Sequence, residues 1–170
     1  ESVEGGERVG RYTFFGVDPF QVITCCGDRI SRVRGSQREE ESGNIFDYLR
    51  KVGGQYRSVT LESLPPFTAG AVGYLSYEVV RQLERLPPRV APDVELEDAV
   101  FMYFANVLAF DHVQHRLFLI ANVLTEDGKG NLRAKYDAAC HQLERLESLL
   151  RRPLRLPRFR QPRGPLRLRP

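Results

Sequence analysis

Two short stretches of this 170-residue sequence contain glycines at spacings that could serve ligand chemistry. Residues 70–74, Gly-Ala-Val-Gly-Tyr, could form a loop that cradles phosphate, but they lack the following Lys-Ser/Thr pair and the third glycine of a dinucleotide fingerprint. We therefore predict that these glycines allow another backbone to pack closely against a strand. Residues 5–12 combine glycines with Arg8 and Arg11, which fits either an anion site or a flexible surface hairpin.

Nucleophilic and metal-dependent catalysis find little support in the sequence. Cys25 and Cys26 have no histidine nearby, and adjacent strand residues point to opposite faces, so the two thiols cannot easily share a metal or a disulfide. We expect reduced cysteines that pack as small apolar residues. Ser76 is not in a Gly-x-Ser-x-Gly elbow. We predict no catalytic residue in this chain. We also predict no metal ligand, since no thiol or carboxylate pattern completes a site around His112, His115 and His141.

The charge distribution narrows the class of partner. The chain has a net charge of +3, but residues 151–170 contain eight arginines and no acid, so residues 1–150 carry −5. Glu78 and Glu84 could be paired carboxylates on one helix, although a solvated helix face explains them better. A mildly acidic folded part argues against a nucleic-acid partner. No apolar run reaches the roughly 20 residues of a membrane span, and no signal peptide opens the sequence, so we expect a cytoplasmic protein.

Hydrophobic patterning predicts the strands and helices of the first half. We predict strands at 11–16, 20–26 and 29–34, the last an edge or bulged strand, followed by a charged loop at 36–43. Asn44 is a good N-cap for a helix at 45–52, because apolar residues recur there at helical spacing.

The second half is predicted to add a hairpin and two helices. A strand is expected within 67–77, and Ser76 is expected to cap a short helix at 77–84. Residues 100–110 and 116–124 are predicted to form a hairpin with both strands interior to a sheet. Asn131 caps a long helix at 132–150, whose apolar face contains Leu132, Tyr136, Ala139, Cys140, Leu143, Leu146 and Leu150.

The composition changes at Arg151. Five prolines follow among residues 151–170, and they exclude a regular helix. We therefore divide the chain into a folded domain, 1–150, and a Pro/Arg-rich linker, 151–170.

Three phrases in this sequence resemble the anthranilate synthase large-subunit family of chorismate-utilising enzymes. The first is Glu-Ser at 1–2 with Gly-Glu-Arg-Val-Gly-Arg-Tyr-Thr-Phe-Phe-Gly at 6–16. The second runs from Pro-Pro-Phe at 65–67 through 70–78 to Arg-Leu-Pro at 85–87. The third is Phe-Asp-His at 110–112 followed by Leu-Ile-Ala-Asn-Val at 119–123. The three occur in the family's order from residue 1 to about residue 150, so the resemblance implies the family's N-terminal domain, with an α+β fold of mainly antiparallel sheet and packed helices.

The resemblance also implies an activity for the whole enzyme. The family converts chorismate and ammonia to anthranilate and pyruvate with Mg²⁺, and a glutamine amidotransferase subunit supplies the ammonia. The catalytic residues and the magnesium carboxylates lie in a following chorismate-binding domain that nothing in this sequence matches. We therefore expect this chain by itself to be inactive and to bind no cofactor, and residues 164–168 resemble the lead-in to that domain.

The family's N-terminal domain also helps to form the feedback site for L-tryptophan. Glu1 and Ser2 match the end of the phrase that supplies its serine, and a hydroxyl and a carboxylate suit the ammonium and indole N–H groups of the effector. Arg11 or Tyr12 falls where the family lines the same pocket, and an arginine could hold the effector's carboxylate.

Two other functions remain open at this point. The related aminodeoxychorismate synthase component of folate synthesis shares the fold. A non-enzymatic binding module could use its arginine-rich tail to bind an acidic partner.

Overall fold

A computed structural model describes residues 10–87, 96–125 and 131–153. These ranges contain eight strands, two α-helices and one short 3₁₀ helix. The strands are β1 (Tyr12–Val17), β2 (Gln21–Cys26), β3 (Arg29–Arg34), β4 (Gln37–Ser42), β5 (Gly70–Leu75), β6 (Ala99–Phe104), β7 (Asn106–Asp111) and β8 (Arg116–Ala121). The helices are α1 (Ile45–Gly53), the 3₁₀ helix (Tyr77–Gln82) and α2 (Leu132–Leu150).

All strand pairs that the structure describes are antiparallel, and they form two sheets. One has the order β1-β7-β8 and the other the order β4-β3-β2-β6-β5. Helix α1 covers one face of the five-stranded sheet, where it contributes to the main apolar core of Ile23, Cys25, Ile30, Ile45, Tyr48, Val52, Val79, Ala99 and Tyr103. The predicted α+β class with mainly antiparallel sheet is confirmed.

Both α-helices begin at the predicted asparagine caps. The Asn44 side chain accepts from the backbone N–H of Phe46 at 2.9 Å, and Asn131 accepts from the N–H of Arg133 at 3.0 Å. Each cap satisfies an N–H group that has no partner inside its helix, which is typically worth about 1 kcal/mol. Helix α2 has the predicted bounds, 132–150.

The prediction for Ser76 was wrong. The short helix predicted at 77–84 is present as a 3₁₀ helix, Tyr77–Gln82, but the Ser76 side chain makes no capping hydrogen bond. Its backbone N–H donates to the carbonyl of Asp98 at 2.7 Å. Its hydroxyl is buried without a hydrogen-bond partner in the part of the chain that the structure describes. A tertiary contact thus fixes the backbone of Ser76, and the hydroxyl turns inward.

The charged loop predicted at 36–43 is instead strand β4, which pairs with β3. All of its side chains are exposed, and they form ion pairs such as Arg38–Glu40 at 2.9 Å. Charged residues are common on edge strands because they oppose pairing with other chains. Strand β3 therefore lies between β2 and β4, and the prediction that it is an edge strand was also wrong.

The strand predicted at 100–110 divides at Ala105. Strand β6, before the break, belongs to the five-stranded sheet, while β7, after it, is the central strand of the other sheet. The chain passes from one sheet to the other at Ala105. The Asn122 side chain stabilises this position, since it donates to the carbonyls of Ala105 at 3.0 Å and Thr68 at 2.8 Å. Strand β8 pairs only with β7 among the described strands, so the prediction that it is interior was wrong.

Helix α2 packs against β8 but buries less of its apolar face than predicted. Leu146 is 4% exposed, whereas Leu132, Tyr136 and Leu150 are 62%, 58% and 47% exposed. The two ends of this face are therefore exposed within the described residues, while its middle, at Ala139, Cys140 and Leu143, is half-buried. None of the helices in those ranges is long and apolar enough to span a bilayer.

Candidate functional site

Of the four residues predicted to bind an effector, the structure describes two, Arg11 and Tyr12. Glu1 and Ser2 lie outside the described residues, as does most of the glycine-rich stretch 5–12. Arg11 and Tyr12 lie at the start of β1, where that strand pairs with the end of β7.

Arg11 is paired with Asp111, which the sequence prediction did not include in the site. The Arg11 Nε lies 3.2 Å from both carboxylate oxygens, and its Nη2 donates to Oδ2 at 2.7 Å. The arginine side chain is 33% exposed and the aspartate side chain 1% exposed. The Arg11 guanidinium is thus partly exposed, whereas the Asp111 carboxylate is buried.

The turn between β7 and β8 holds Asp111 from the other side. Its Oδ1 accepts from the backbone N–H groups of Val113 and Gln114, both at 3.0 Å. The hydrogen bond from Arg11 is the largest influence on the Asp111 pKa, and with those two backbone bonds it lowers the pKa far below its ordinary value despite the opposing desolvation. Asp111 is therefore a carboxylate anion throughout the physiological pH range.

The same turn is also attached to β1. The backbone N–H of His112 donates to the carbonyl of Arg11 at 2.9 Å. The Thr13 hydroxyl and His112 Nε2 lie 2.8 Å apart in a hydrogen bond. Backbone and side-chain bonds together fix the start of β1 against the β7–β8 turn.

Aromatic rings continue from the Arg11 guanidinium along one face of β1. The Arg11 Cζ lies 4.9 Å from the centre of the Tyr12 ring. The Tyr12 and Phe14 ring centres are 5.7 Å apart, and Phe14 meets Phe67 edge-on at 5.5 Å. A guanidinium can bind an anionic group, and the neighbouring rings can pack against an aromatic group. This surface therefore suits a ligand that has both groups.

The other sequence candidates have structural roles. Gly73 lies in β5, and a Cβ at this position would be 1.9 Å from the carbonyl oxygen of Val100. The prediction of close backbone packing is therefore confirmed. Glu78 forms an ion pair with Arg81 at 2.5 Å, and Glu84 is exposed.

The cysteines have the predicted opposite orientations. Cys25 is fully buried, Cys26 is exposed, and neither is in a disulfide. Burial raises the pKa of the Cys25 thiol, which disfavours the thiolate needed for nucleophilic attack. In the described ranges, no group of three or more histidine, cysteine, aspartate or glutamate side chains is placed to hold a metal ion.

A cavity of about 420 Å³ lies between the 3₁₀ helix, the N-terminus of α1 and the β2–β3 turn. Gln82 joins these three elements. Its Oε1 accepts from the backbone N–H of Ile45 at 2.7 Å, and its Nε2 donates to the carbonyl of Gly27 at 2.5 Å. Asp98 accepts from the Gly27 N–H at 2.7 Å. These polar groups serve to join secondary-structure elements.

The fold and the site together define an antiparallel α+β protein with a polar, aromatic-lined end on its smaller sheet. No family model matches the chain. The same fold occurs in the crystal structure of anthranilate synthase component I from Streptococcus pneumoniae TIGR4, with a TM-score of 0.69 and 18% identity. That match covers 89% of this chain and 33% of the other.

Sequence similarity identifies the family. The chain is 35% identical over 146 residues to anthranilate synthase component 1 of Acetivibrio thermocellus, which is 85% of this chain and 29% of that protein. It is 36% identical over 156 residues to the Synechocystis protein of the same name, covering 91% and 31%. The chain belongs to the anthranilate synthase component 1 family, and it spans about a third of the length of the relatives that it matches.

Proposed function

We propose that the chain forms the N-terminal regulatory and scaffolding part of an anthranilate synthase. The observation that carries this proposal is the similarity to anthranilate synthase component 1 over 85% to 91% of the chain. The reaction of the whole enzyme would convert chorismate and ammonia to anthranilate and pyruvate, the first committed step of tryptophan synthesis. We assign the catalytic residues and Mg²⁺ to a chorismate-binding part, and the supply of ammonia to a glutamine amidotransferase subunit.

The regulatory role would be to bind L-tryptophan through Ser2, Glu1, Arg11 and Tyr12. Arg11 and Tyr12 support this assignment because they lie together at the start of β1, beside the aromatic row. Arg11 would hold the effector's carboxylate, while Ser2 and Glu1 would bind its ammonium and indole N–H groups.

The scaffolding role is supported by the face of the five-stranded sheet opposite α1, which residues 10–87, 96–125 and 131–153 leave partly exposed. Val33, Val22, Met102 and Val72 lie in direct register across β3, β2, β6 and β5. Val33 and Met102 are each 37% exposed and Val72 50% exposed. We call this row and the neighbouring Tyr74 the open face. An apolar sheet surface of this kind is typical of an interface, and we propose that the chorismate-binding part covers it.

The two edge strands of this sheet, among the described strands, also differ in charge, and this favours docking of a partner at only one of them. Strand β4 is charged, whereas β5, Gly70–Leu75, has no charged residue. Exposed edge strands usually carry charges that prevent pairing. The β5 edge therefore suits a partner that continues the sheet, and the β4 edge does not.

The relatives reported above favour this function over the aminodeoxychorismate synthase alternative, because they are anthranilate synthases. The arginine-rich tail, 151–170, lies outside the described residues beyond 153, and its role as a linker stays a prediction. The cytoplasmic location expected from the sequence also stays a prediction.

A chimeric enzyme would test the proposed function. This chain would replace the 146 residues that it matches in the Acetivibrio thermocellus protein, and anthranilate formation would be followed with increasing L-tryptophan. We expect an active enzyme that L-tryptophan inhibits. Ser2→Phe should raise the inhibitory concentration about tenfold or more, because a bulky side chain replaces a hydrogen-bonding hydroxyl.

The matched control for this experiment is Ser42→Phe, which makes the same change on the exposed β4 edge. It should leave inhibition unchanged. Equal inhibition of the parent and Ser2→Phe chimeras would exclude Ser2 from the effector site. Formation of aminodeoxychorismate in place of anthranilate would overturn the proposed reaction.

A further inference from the structure

We propose that the groove between helix α2 and strands β7 and β8 binds a small organic monocarboxylate, with Lys135 as the contact for the carboxylate. The groove has a volume of about 380 Å³, within the roughly 300–1,000 Å³ that is usual for small-ligand sites. It lies at the end of the three-stranded sheet where Asn106 pairs with Ala121, whereas Tyr12 pairs with Asp111 at the opposite end. The inference therefore adds a second site, and it depends on neither the proposed effector role nor the scaffolding role.

The helix side of the groove explains why a space exists there. Four residues of α2 recur at i, i+4, i+7 and i+11 and therefore share one face of the helix: Lys135, Ala139, Gln142 and Leu146. Leu146 is 4% exposed, so this face is directed into the protein. A helix that only packed on a sheet would have large apolar residues at these positions. The first three are polar or small, and all three line the groove.

The sheet side of the groove contributes two amide groups, from Asn106 and Asn122. Asn106 shares a face of β7 with Leu108, which is 7% exposed, because alternate residues of a strand point to the same side. The Asn122 Nδ2 donates to two backbone carbonyls. Within residues 10–87, 96–125 and 131–153, its Oδ1 accepts no hydrogen bond and the Asn106 amide makes none. Both amides can therefore bind an uncharged polar group of a ligand.

Lys135 determines the charge of the ligand. Its Nζ donates to the carbonyl of Leu124 at 3.0 Å, which places the ammonium at one end of the groove. Of the described residues that line the groove, it alone carries a charge, and it forms no ion pair with any other described residue. An ammonium group has three N–H donors, so two remain for a carboxylate, which forms a strong charge-assisted hydrogen bond with such a group.

The rest of the lining indicates the shape of the ligand. The residues between the polar ends of the groove are apolar: Ala105, Val123, Leu124, Ala138 and Ala139. Lys135 and Gln142 are seven residues apart, which is about 10 Å along a helix. A ligand that contacts both needs a carboxylate, an apolar chain and an uncharged hydrogen-bonding group at the far end. A linear hydroxy acid has these three parts, whereas a dicarboxylate would place its second charge beside amides with no cation.

NMR titration of the ¹⁵N-labelled full chain with 6-hydroxyhexanoate tests the site. The uncharged control is 1,6-hexanediol, and adipate is the dicarboxylate of similar length. We expect saturable binding of 6-hydroxyhexanoate, with the shifted resonances centred on Asn106, Asn122 and Ala139. The diol should bind about tenfold more weakly or worse, because it lacks the charge-assisted bond to Lys135. Adipate should also bind more weakly than the hydroxy acid.

Two variants separate recognition of the carboxylate from the space in the groove. Lys135→Gln removes the charge and keeps an N–H donor for the Leu124 carbonyl. It should weaken binding of 6-hydroxyhexanoate about tenfold and change binding of the diol less than about twofold. Ala139→Leu should weaken both ligands about tenfold or more, because the larger side chain occupies the groove.

Each variant has a matched control. Lys51→Gln removes an exposed lysine on α1, and Ala134→Leu enlarges an exposed alanine of α2. Neither control should change the binding of 6-hydroxyhexanoate.

The inference is overturned if the parent chain shows no saturable binding of 6-hydroxyhexanoate. Equal affinity of the parent for the hydroxy acid and the diol would reject Lys135 as the carboxylate contact, and so would equal effects of Lys135→Gln and Lys51→Gln. Adipate that binds as tightly as the hydroxy acid would reject the monocarboxylate class. If a variant does not fold, intermolecular NOEs on the parent chain decide the location. They should connect the methylene protons of the bound acid to the methyl groups of Val123 and Ala139, and NOEs to another surface alone would reject the groove.

Discussion

At the scale of single residues, the pair formed by Arg11 and Asp111 has the most organised polar geometry of the candidate site. The two are 100 residues apart in the sequence. Arg11 was a predicted site residue, while Asp111 was only part of a phrase that resembled the family. The available signal was an aspartate directly between an apolar strand and a turn, a position where its side chain can accept backbone N–H groups. Nothing local indicated that it would pair with Arg11.

The lowered pKa of Asp111 predicts how acid affects stability. Because the folded-state pKa lies below the unfolded value of about 3.9, the anion stabilises the folded chain above that pH, and this contribution is lost as pH falls through the folded pKa. Urea unfolding from pH 7 to pH 2 should show Asp111→Asn less stable than the parent at pH 7. The difference should shrink below about pH 4.

Asp137→Asn is the control, because Asp137 forms an exposed pair with Arg133 on α2. Exposed ion pairs contribute little, so its difference from the parent should be small at every pH. A parent-minus-Asp111→Asn difference that stays constant down to pH 2 would contradict the assigned pKa shift.

At the scale of elements, helices were predicted better than strands. The bounds of α2 and the cap of α1 follow from an asparagine followed by apolar residues at helical spacing, and both are local signals. The strand at 37–42 was missed because its charged composition is typical of loops, while its structure depends on pairing with β3. The break at Ala105 was missed because residues 100–110 are apolar except for Asn106, and the hydrogen bond from the Asn122 side chain to the Ala105 carbonyl is not visible in that local pattern.

The close approach of β5 to β6 at Gly73 predicts that an added methyl group there destabilises the fold. In Gly73→Ala the new Cβ would lie 1.9 Å from the Val100 carbonyl oxygen and 2.8 Å from the Phe101 Cα. Both are backbone atoms, so the strands must separate, and we expect a loss of about 1–3 kcal/mol in the free energy of unfolding. Thermal and urea unfolding followed by circular dichroism would measure it.

Gly53→Ala provides the comparison, since no atom lies within 4 Å of its added Cβ at the end of α1. Alanine favours helix, so this variant should match the parent or gain up to about 1 kcal/mol. Equal stability of the two alanine variants would mean that β5 does not approach β6 as closely as described.

At the scale of the whole molecule, the described residues expose apolar groups on two surfaces, one on the five-stranded sheet and one on α2. Helix α1 covers one face of the five-stranded sheet, and the opposite face is the open face among the described residues. Tyr74 on that face is 47% exposed, and α2 leaves Leu132 and Leu150 exposed as well. Large exposed apolar areas favour association.

The open face predicts that the chain associates in solution, and that one charge on β5 reduces this association. We expect the parent to show a mass that rises with concentration in light scattering after size-exclusion chromatography. Val72→Lys should lower it, because a lysine on an apolar edge strand opposes pairing. Its stability should change by less than about 0.5 kcal/mol, since surface substitutions are mild.

Ser42→Lys introduces the same side chain on the charged β4 edge and should not alter association. A monomeric parent at all concentrations, or equal effects of the two lysines, would contradict the assignment of the open face as an interface.

The sequence by itself determined the α+β class, the bounds of α2, the two asparagine caps and the family. These features depend on residue types and on their spacing within short segments. Contacts with distant segments are not needed to predict them. Tertiary structure alone decided that β4 is a strand, that the apolar run divides at Ala105, and that Arg11 bonds Asp111. Each of these depends on a contact between segments far apart in sequence, and no local pattern encodes which segments will meet.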